Sequence, residues 1–111
     1  MAAASQPYDQ RDGYIWMNGE LISWRDARVH LLTHALHYGS AVFEGERVYD
    51  GEIFKLTEHS QRLHESAKGL DFEIPYSVSD LDKAAREVLR ANKLTDAYVR
   101  PIAWRGSEQM G

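Results

Sequence analysis

The sequence predicts an α+β fold in which two amphipathic helices pack on one face of an antiparallel sheet. Two dipeptides, Asn18-Gly19 and Asp50-Gly51, each separate runs of aromatic and branched residues, which favours two tight β-hairpins. Two segments with helical periodicity follow the hairpins, and one more strand-like run follows the helices. Because strands come first and helices later, we predict that the sheet is formed from the two hairpins and the later strand.

The first hairpin is predicted to begin at residue 14, after a segment without hydrophobic periodicity. Residues 1–13 contain three alanines, several polar residues and Pro7, which is typical of a flexible tail. The two arms of the hairpin, residues 14–17 and 21–24, are rich in aromatic and branched side chains. We therefore assign residues 14–111 to one domain.

The second hairpin contains an unusual run over residues 37–47. The run has two glycines, and the charged residues Glu44 and Arg47 lie among its apolar side chains. A glycine inside a strand often marks a bulge, or a place where another group approaches the backbone closely. We predict a strand over residues 41–49, preceded by a short helical turn from Thr33, and interpret the run as one wall of a small-molecule site.

Two amphipathic helices are predicted after the second hairpin. The first should extend from Glu58 to Gly69, with Thr57 as its N-cap and apolar residues along one stripe. Ser77 and Asp80 have the spacing of a capping box in its acidic form, so a second helix should begin there.

A last strand is predicted over residues 97–104. Pro101 lies within it and has no N–H group, so this strand should be at a sheet edge or distorted. Strand alternation places Tyr98 and Arg100 on the same side. A hydroxyl and a guanidinium on one face would suit a carboxylate, although the spacing alone fits an exposed strand face equally well.

Composition excludes several classes of protein. The net charge of −4 and the pI near 5.7 argue against a general nucleic-acid binder, which usually has a basic face. No apolar run approaches the ~20 residues that cross a bilayer, so we expect no membrane span. The absence of cysteine rules out disulfides and thiolate metal sites and fits a cytoplasmic protein.

Histidines and lysines offer weaker candidates for a site. His30, His34 and His37 would share one face of a helix at a spacing that resembles metal ligands. No carboxylate or cysteine lies close in sequence, so we predict partly buried histidines and no metal. A catalytic lysine needs surroundings that lower its pKa, and none of the four lysines has them: Lys55, Lys68, Lys83 and Lys93.

Arg62 is a more informative cation. It precedes the apolar anchor Leu63 on the predicted first helix, so its guanidinium could bind a buried anion through two hydrogen bonds. The alternative is a surface ion pair with Glu58 or Glu65, which the sequence alone favours about twofold because such pairs are common on helices.

Several blocks of the sequence carry a family resemblance. They lie at residues 34–39 (HALHYG), 42–45 (VFEG) with Arg47, 58–59 (EH) with 61–64 (QRLH), 66–68 (SAK) and 97–101 (AYVRP). In this order they resemble the class IV, fold-type IV, pyridoxal-phosphate aminotransferases, most closely the branched-chain amino acid aminotransferases. The resemblance runs from about residue 14 to residue 111. It implies that the chain is the smaller N-terminal domain of a longer enzyme and is cut before the larger domain.

The resemblance also implies roles for individual residues. Arg62 would bind the phosphate of the cofactor, pyridoxal 5'-phosphate. Tyr98 and Arg100 would recognise a substrate carboxylate with help from the backbone of Gly45. Three further matches are Phe43, a wall of the side-chain pocket, Tyr38, which would reach the neighbouring subunit's site, and Arg47, near the carboxylate.

The activity implied by the resemblance is transfer of an amino group between branched-chain L-amino acids (leucine, isoleucine, valine) and 2-oxoglutarate, by a cytoplasmic homodimer or higher homo-oligomer. The Schiff-base lysine would lie in the absent larger domain, so we expect the chain alone to be inactive. Glu46 and Arg105 add charge where branched-chain members often have apolar residues. The alternatives are therefore a D-amino acid or (R)-amine transaminase of the same fold, and a non-catalytic binding or assembly module.

Overall fold

The computed structural model describes residues 6–109, and within them the chain forms short strands, three α-helices and two 3₁₀ turns. None of these helices is long and apolar enough to cross a membrane. The helices are α1 (His34–Tyr38), α2 (Leu56–Gly69) and α3 (Val78–Ala91). The strands are β1 (Tyr14–Met17), β2 (Glu20–Ser23), β3 (Ala41–Phe43), β4 (Glu46–Tyr49), β5 (Glu52–Ile53), β6 (Ala97–Val99) and β7 (Ile102–Trp104).

Both predicted hairpins are confirmed, as the β1–β2 and β4–β5 pairs. At the first turn φ is 52° for Asn18 and 98° for Gly19, and at the second it is 49° for Asp50 and 80° for Gly51. A two-residue hairpin turn needs such positive φ values, which asparagine, aspartate and glycine adopt most readily. The turn chemistry in the sequence therefore determined both hairpins locally.

The predicted α+β class is confirmed, but the strands form three small antiparallel sheets rather than one. The pairs are β1–β2 and β3–β7, and β4 lies between β5 and β6 in the third sheet. The strand predicted over residues 41–49 is broken at Glu44 and Gly45, and the one predicted over residues 97–104 is broken at Arg100 and Pro101. The two breaks meet, since the N–H of Glu44 donates to the carbonyl of Pro101 at 3.0 Å.

The short helical turn predicted from Thr33 is confirmed as α1. Its first N–H group, on His34, donates to the carbonyl of Gly106 at 2.8 Å, which ties α1 to the segment after β7. The helix ends at Tyr38 and is capped by Gly39, whose φ of 67° lies in the left-handed region that glycine adopts without steric cost.

Helix α2 ends at Gly69 as predicted, but it begins at Leu56, earlier than predicted. Lys55 turns the chain from β5 into the helix with a left-handed φ of 57°. The prediction that Thr57 is the N-cap is therefore wrong. Thr57 lies inside the first turn, and its hydroxyl donates to Asp82 on α3 at 2.6 Å, because the two helices pack together there.

Helix α3 begins with the predicted capping box. The N–H of Asp80 donates to the Ser77 hydroxyl at 3.0 Å, and the N–H of Ser77 donates to the Asp80 carboxylate at 3.1 Å. The backbone hydrogen bond from Ser77 also holds the pKa of Asp80 below its ordinary value. The buried apolar core lies largely on α2 and α3, with one residue from β4: Val48, Leu56, Leu63, Ala67, Ala84, Ala85 and Leu89.

The predicted N-terminal tail is only partly within the described residues. Residues 1–5 lie outside them, and residues 6–13 contain a 3₁₀ turn at Tyr8–Gln10. The indole N–H of Trp24 donates to the carbonyl of Tyr8, so this turn contacts the segment that follows β2. The domain boundary at residue 14 stays a prediction.

Candidate functional site

Four of the predicted site residues meet where the paired strands are broken. Phe43 pairs with Ile102 at the end of the β3–β7 ladder, and the β4–β6 ladder begins where Glu46 pairs with Val99. The backbone therefore passes from one sheet to the other between these two pairs. This crossing brings together the side chains or backbone of Phe43, Gly45, Tyr98 and Arg100.

Gly45 allows Tyr98 to lie directly against the backbone. A Cβ atom placed on Gly45 would lie 2.9 and 3.0 Å from two ring carbons of Tyr98, and closer still to its hydroxyl. Side chains do not approach each other this closely, so Gly45 is the residue that permits this tyrosine position. The unusual glycine in the strand thus has a steric reason.

Arg100 is held over two aromatic rings. Its Nη2 donates to the Tyr98 hydroxyl at 2.9 Å, which places both side chains on one side as strand alternation predicts. The guanidinium carbon lies 4.2 Å from the Phe43 ring centroid and 5.4 Å from that of Tyr98. Arg100 is itself exposed, and its one side-chain hydrogen bond among residues 6–109 is the one to Tyr98, so its remaining N–H groups are open to an anion.

Arg62 forms a second cationic position, on α2. Its Nε donates to both carboxylate oxygens of Glu44, at 3.0 and 2.9 Å, and its Nη2 donates to Glu44 Oε1 at 2.7 Å. The alternative of a surface ion pair with Glu58 or Glu65 is therefore wrong, because the partner of Arg62 is Glu44. Glu44 comes from the break between β3 and β4, which directs its carboxylate toward α2.

Glu44 is a buried carboxylate with two partners. It is 6% exposed, and the His59 Nδ1 lies 2.7 Å from its Oε1 atom. The hydrogen bonds from Arg62 hold the pKa of Glu44 below its ordinary value, because they favour the charged form more than burial disfavours it. Glu44 therefore stays ionised beside Arg62 at neutral pH.

One edge of the Arg62 guanidinium faces outward. The side chain is 64% exposed, and within residues 6–109 its Nη1 has no hydrogen-bond partner. Nη1 and the second N–H of Nη2 can therefore offer two parallel donors to an anion while Nε and the first N–H of Nη2 stay bonded to Glu44. A phosphate fits this donor set, so Arg62 could hold a phosphorylated cofactor.

The other two predicted residues are Tyr38 and Arg47. Tyr38 ends α1, is 63% exposed, and its ring centroid lies 4.4 Å from that of His34. Arg47 is exposed and pairs across the ladder with Tyr98, which places it on the side of the sheet that carries Arg100. In the described part of the chain, no hydrogen bond or ion pair joins Arg62 to the group around Arg100.

The histidines do not form the metal-like cluster that was considered. His30 precedes α1, and its Nδ1 accepts from the N–H of Leu32, while the His34 Nδ1 lies 2.7 Å from the Ser40 hydroxyl. Among residues 6–109 no three metal-ligating side chains are arranged to hold an ion. Lys55 is the lysine with apolar neighbours in sequence. Its Nζ lies 3.6 Å from Glu58 Oε2, and both side chains are at the surface.

Glu44 and His59 are two residues of the site for which the sequence predicts no role. A charged residue within an apolar strand-like run was the signal that could have identified Glu44, because a buried carboxylate needs a cationic partner. The sequence gives no separate signal for His59, because histidine occurs at exposed and at partly buried positions alike.

Comparison with known proteins identifies the family. Residues 41–111 match the family model described as "Amino-transferase class IV". A "Probable branched-chain-amino-acid aminotransferase" from Rickettsia typhi is 50% identical over 97 residues, which cover 87% of this chain and 34% of that protein. The chain thus spans about one third of the length of the curated relatives that it matches.

Solved structures agree with the sequence comparison. The branched-chain amino acid aminotransferase of Escherichia coli superposes with a TM-score of 0.86 at 48% identity, covering 91% of this chain and 34% of that one. An aminotransferase from Brucella abortus bound to the cofactor PLP gives a TM-score of 0.75 at 32% identity, covering 85% of this chain and 34% of that one. The resemblance predicted from the sequence is confirmed, and the chain belongs to the class IV aminotransferases.

Proposed function

We propose that the chain supplies the smaller domain of a pyridoxal-phosphate-dependent transaminase for branched-chain L-amino acids. The observation that carries this proposal is the Arg100 guanidinium, bonded to Tyr98 and lying over Phe43 beside Gly45. The names of the relatives support the same activity. Because the chain spans only one third of them, the reaction belongs to a whole protein whose larger domain would carry the catalytic lysine.

The group around Arg100 has the chemistry to recognise a substrate carboxylate. The Tyr98 oxygen accepts a hydrogen bond from Arg100, so its own O–H remains available to donate to a carboxylate oxygen. The outward N–H groups of Arg100 can donate to the second oxygen. Gly45 has no side chain, which lets Tyr98 take this position against the backbone, and the half-exposed ring of Phe43 offers an apolar wall for a branched side chain.

Arg62 is the proposed anchor for the cofactor. Its open Nη1 and Nη2 edge suits the phosphate of pyridoxal 5'-phosphate, which supplies the electron sink for amino-group transfer when bound. Arg47, on the side of Tyr98, would add positive charge near the substrate carboxylate. The exposed Tyr38 would reach the site of the neighbouring subunit in a cytoplasmic homodimer or higher homo-oligomer.

A substrate panel tests the proposed activity. With the full-length protein and 2-oxoglutarate as amino acceptor, we expect L-leucine to exceed D-alanine and an (R)-amine in kcat/KM by at least about tenfold, because the apolar wall favours a branched side chain. Amino-group transfer is measured by formation of glutamate. Preference for the D-amino acid or the amine would assign the alternative activities, and no transfer from any donor would favour a binding or assembly module.

Replacing Arg62 with alanine tests the cofactor anchor. We expect the full-length Arg62→Ala protein to bind pyridoxal 5'-phosphate about ten- to hundredfold more weakly, the range typical of lost hydrogen bonds to a charged group. Affinity is measured by titrating the apoprotein and following the absorbance of the bound cofactor. Lys68→Ala is the matched control, since it removes another exposed cation from α2. Equal affinities in the Arg62→Ala and wild-type proteins would refute the role of Arg62.

A further inference from the structure

Glu44 joins the two cationic positions of the domain. Its neighbours in sequence, Phe43 and Gly45, lie beside Arg100 and Tyr98 on the proposed substrate side. The Glu44 carboxylate itself binds the guanidinium of Arg62 on α2. The three consecutive residues 43–45 therefore connect the proposed carboxylate position to the proposed phosphate position through one short piece of backbone.

The backbone and the side chain of Glu44 are both held in place. The N–H of Glu44 donates to the Pro101 carbonyl at 3.0 Å, which attaches it to the break between β6 and β7. The His59 Nδ1 lies 2.7 Å from Oε1 and fixes the carboxylate from a second direction. Because the side chain of Glu44 is only 5% exposed, this carboxylate is a rigid acceptor and not a mobile surface group.

We propose that Glu44, supported by His59, is a positioning residue that holds the Arg62 guanidinium with its Nη1 and Nη2 edge toward the cofactor phosphate. This inference rests on the proposed function. Arginine loses rotamer freedom when it binds a ligand, and a side chain that is already ordered loses less. Glu44 binds Nε and one N–H of Nη2, so Nη1 and the second N–H of Nη2 remain available for a second anion.

Residues nearer in sequence do not provide this orientation. Glu65 is one turn away on α2 and acts on Arg62 through its charge, without a hydrogen bond among the described residues. Glu58 lies 3.6 Å from Lys55. Arg62 thus takes its partner from a separate element 18 positions earlier, although carboxylates are available on its own helix. A buried carboxylate that is itself held in place can fix the orientation of the Arg62 guanidinium, as a positioning role requires.

A double-mutant cycle in the full-length protein tests the proposal. We expect Glu44→Gln to weaken pyridoxal 5'-phosphate binding about five- to tenfold, the cost of ordering one long side chain again on binding. In the Arg62→Ala background, the same substitution should change the affinity less than about twofold, since Glu44 then has no guanidinium to orient. Affinities are measured by titration of the apoproteins, with circular dichroism as a check on folding.

Two further measurements separate positioning from a general structural role. Pyridoxal, which has no phosphate, should bind equally well to the wild-type and Glu44→Gln proteins. Glu65→Gln is the matched control, since it removes a carboxylate near Arg62 that makes no hydrogen bond to it. We expect it to leave pyridoxal 5'-phosphate binding unchanged.

The outcomes distinguish this inference from the proposed function. If Arg62→Ala leaves cofactor affinity unchanged, the phosphate role of Arg62 and the role of Glu44 are both wrong. If Arg62→Ala weakens binding but Glu44→Gln does not, or if Glu44→Gln weakens pyridoxal to the same extent, only the positioning role is wrong. Should Glu44→Gln fail to fold, Arg62→Lys replaces it, because lysine keeps the charge but lacks a second edge. Wild-type affinity in Arg62→Lys would overturn the proposal.

Discussion

Replacing Glu46 with glutamine should remove a large pH dependence of stability. We expect the free energy of unfolding of the wild-type protein to fall by about 3 kcal/mol relative to Glu46→Gln as pH rises from about 4.5 to about 7. Below this pH range the difference in the free energy of unfolding between the two proteins should be constant. Above the range it should be constant again, at a different value. The side chain responsible is 1% exposed, on β4 immediately after Gly45.

Burial is the main cause of this behaviour. It raises the pKa of Glu46 from 4.5 to about 7, and the nearby carboxylates of Asp82 and Glu44 act in the same direction while His59 lowers it. Between these two pH values the unfolded chain has released the proton and the folded chain retains it. Folding then requires proton uptake, so stability is lost as pH rises through this range. The Glu46 Oε1 atom has no hydrogen-bond partner among the described residues, so the ionised form is poorly compensated.

Urea unfolding of the two full-length proteins across this pH range measures the effect. Taking the difference between wild type and Glu46→Gln cancels the contribution of Glu44, whose pKa is lowered and which therefore loses stability in acid. Glu52→Gln is the matched control, because Glu52 is an exposed carboxylate on the adjacent strand β5. The prediction would be contradicted if the free energies of unfolding of the wild-type and Glu46→Gln proteins differed by the same amount at every pH.

Elements with a local chemical signal were predicted well from the sequence. The turn dipeptides fixed both hairpins, since Asn18 and Asp50 adopt the left-handed backbone that such turns require. Ser77 and Asp80 fixed the start of α3 through two reciprocal hydrogen bonds between them. In each case the atoms that determine the structure lie within four residues of one another.

The division into three sheets could not be predicted in the same way. Pro101 indicated a distortion in the last strand, but its position opposite Glu44 depends on the pairing of distant segments. Residues typical of strands lie on both sides of each break, so composition alone predicted two continuous strands. A strand can leave one sheet and enter another without any change in its side-chain pattern.

In the candidate site, too, local relations were predicted from the sequence and tertiary ones were not. Tyr98 and Arg100 are two residues apart, and alternation correctly placed them on one side, where they form a hydrogen bond. Glu44 could not be identified as the partner of Arg62, because the spacing rules for helices consider only residues three or four positions away. Glu44 reaches Arg62 through the break between β3 and β4, and that break is a tertiary feature.

Replacing Asp82 with alanine should destabilise the full-length protein by about 3 kcal/mol, which is the lower end expected for two hydrogen bonds to a charged acceptor. Asp82 lies on α3 and is 8% exposed. Its two oxygens each accept a hydrogen bond at 2.6 Å from α2, from the hydroxyls of Thr57 and Ser60. Alanine would leave the Ser60 hydroxyl, which is 3% exposed, without its acceptor inside the helix interface.

The loss should depend on pH, because Asp82 also repels Glu46. The charge of Asp82 raises the pKa of Glu46, so removing it makes ionised Glu46 less unfavourable in the folded state. Asp82→Ala should therefore cost less stability above about pH 7 than below about pH 4.5. In the Glu46→Gln background this difference should disappear.

Urea unfolding measures the free energy of unfolding of each variant, and Lys83→Ala is the control on an exposed neighbouring position of α3. A loss no larger than that of Lys83→Ala would mean that Asp82 does not hold the two helices together.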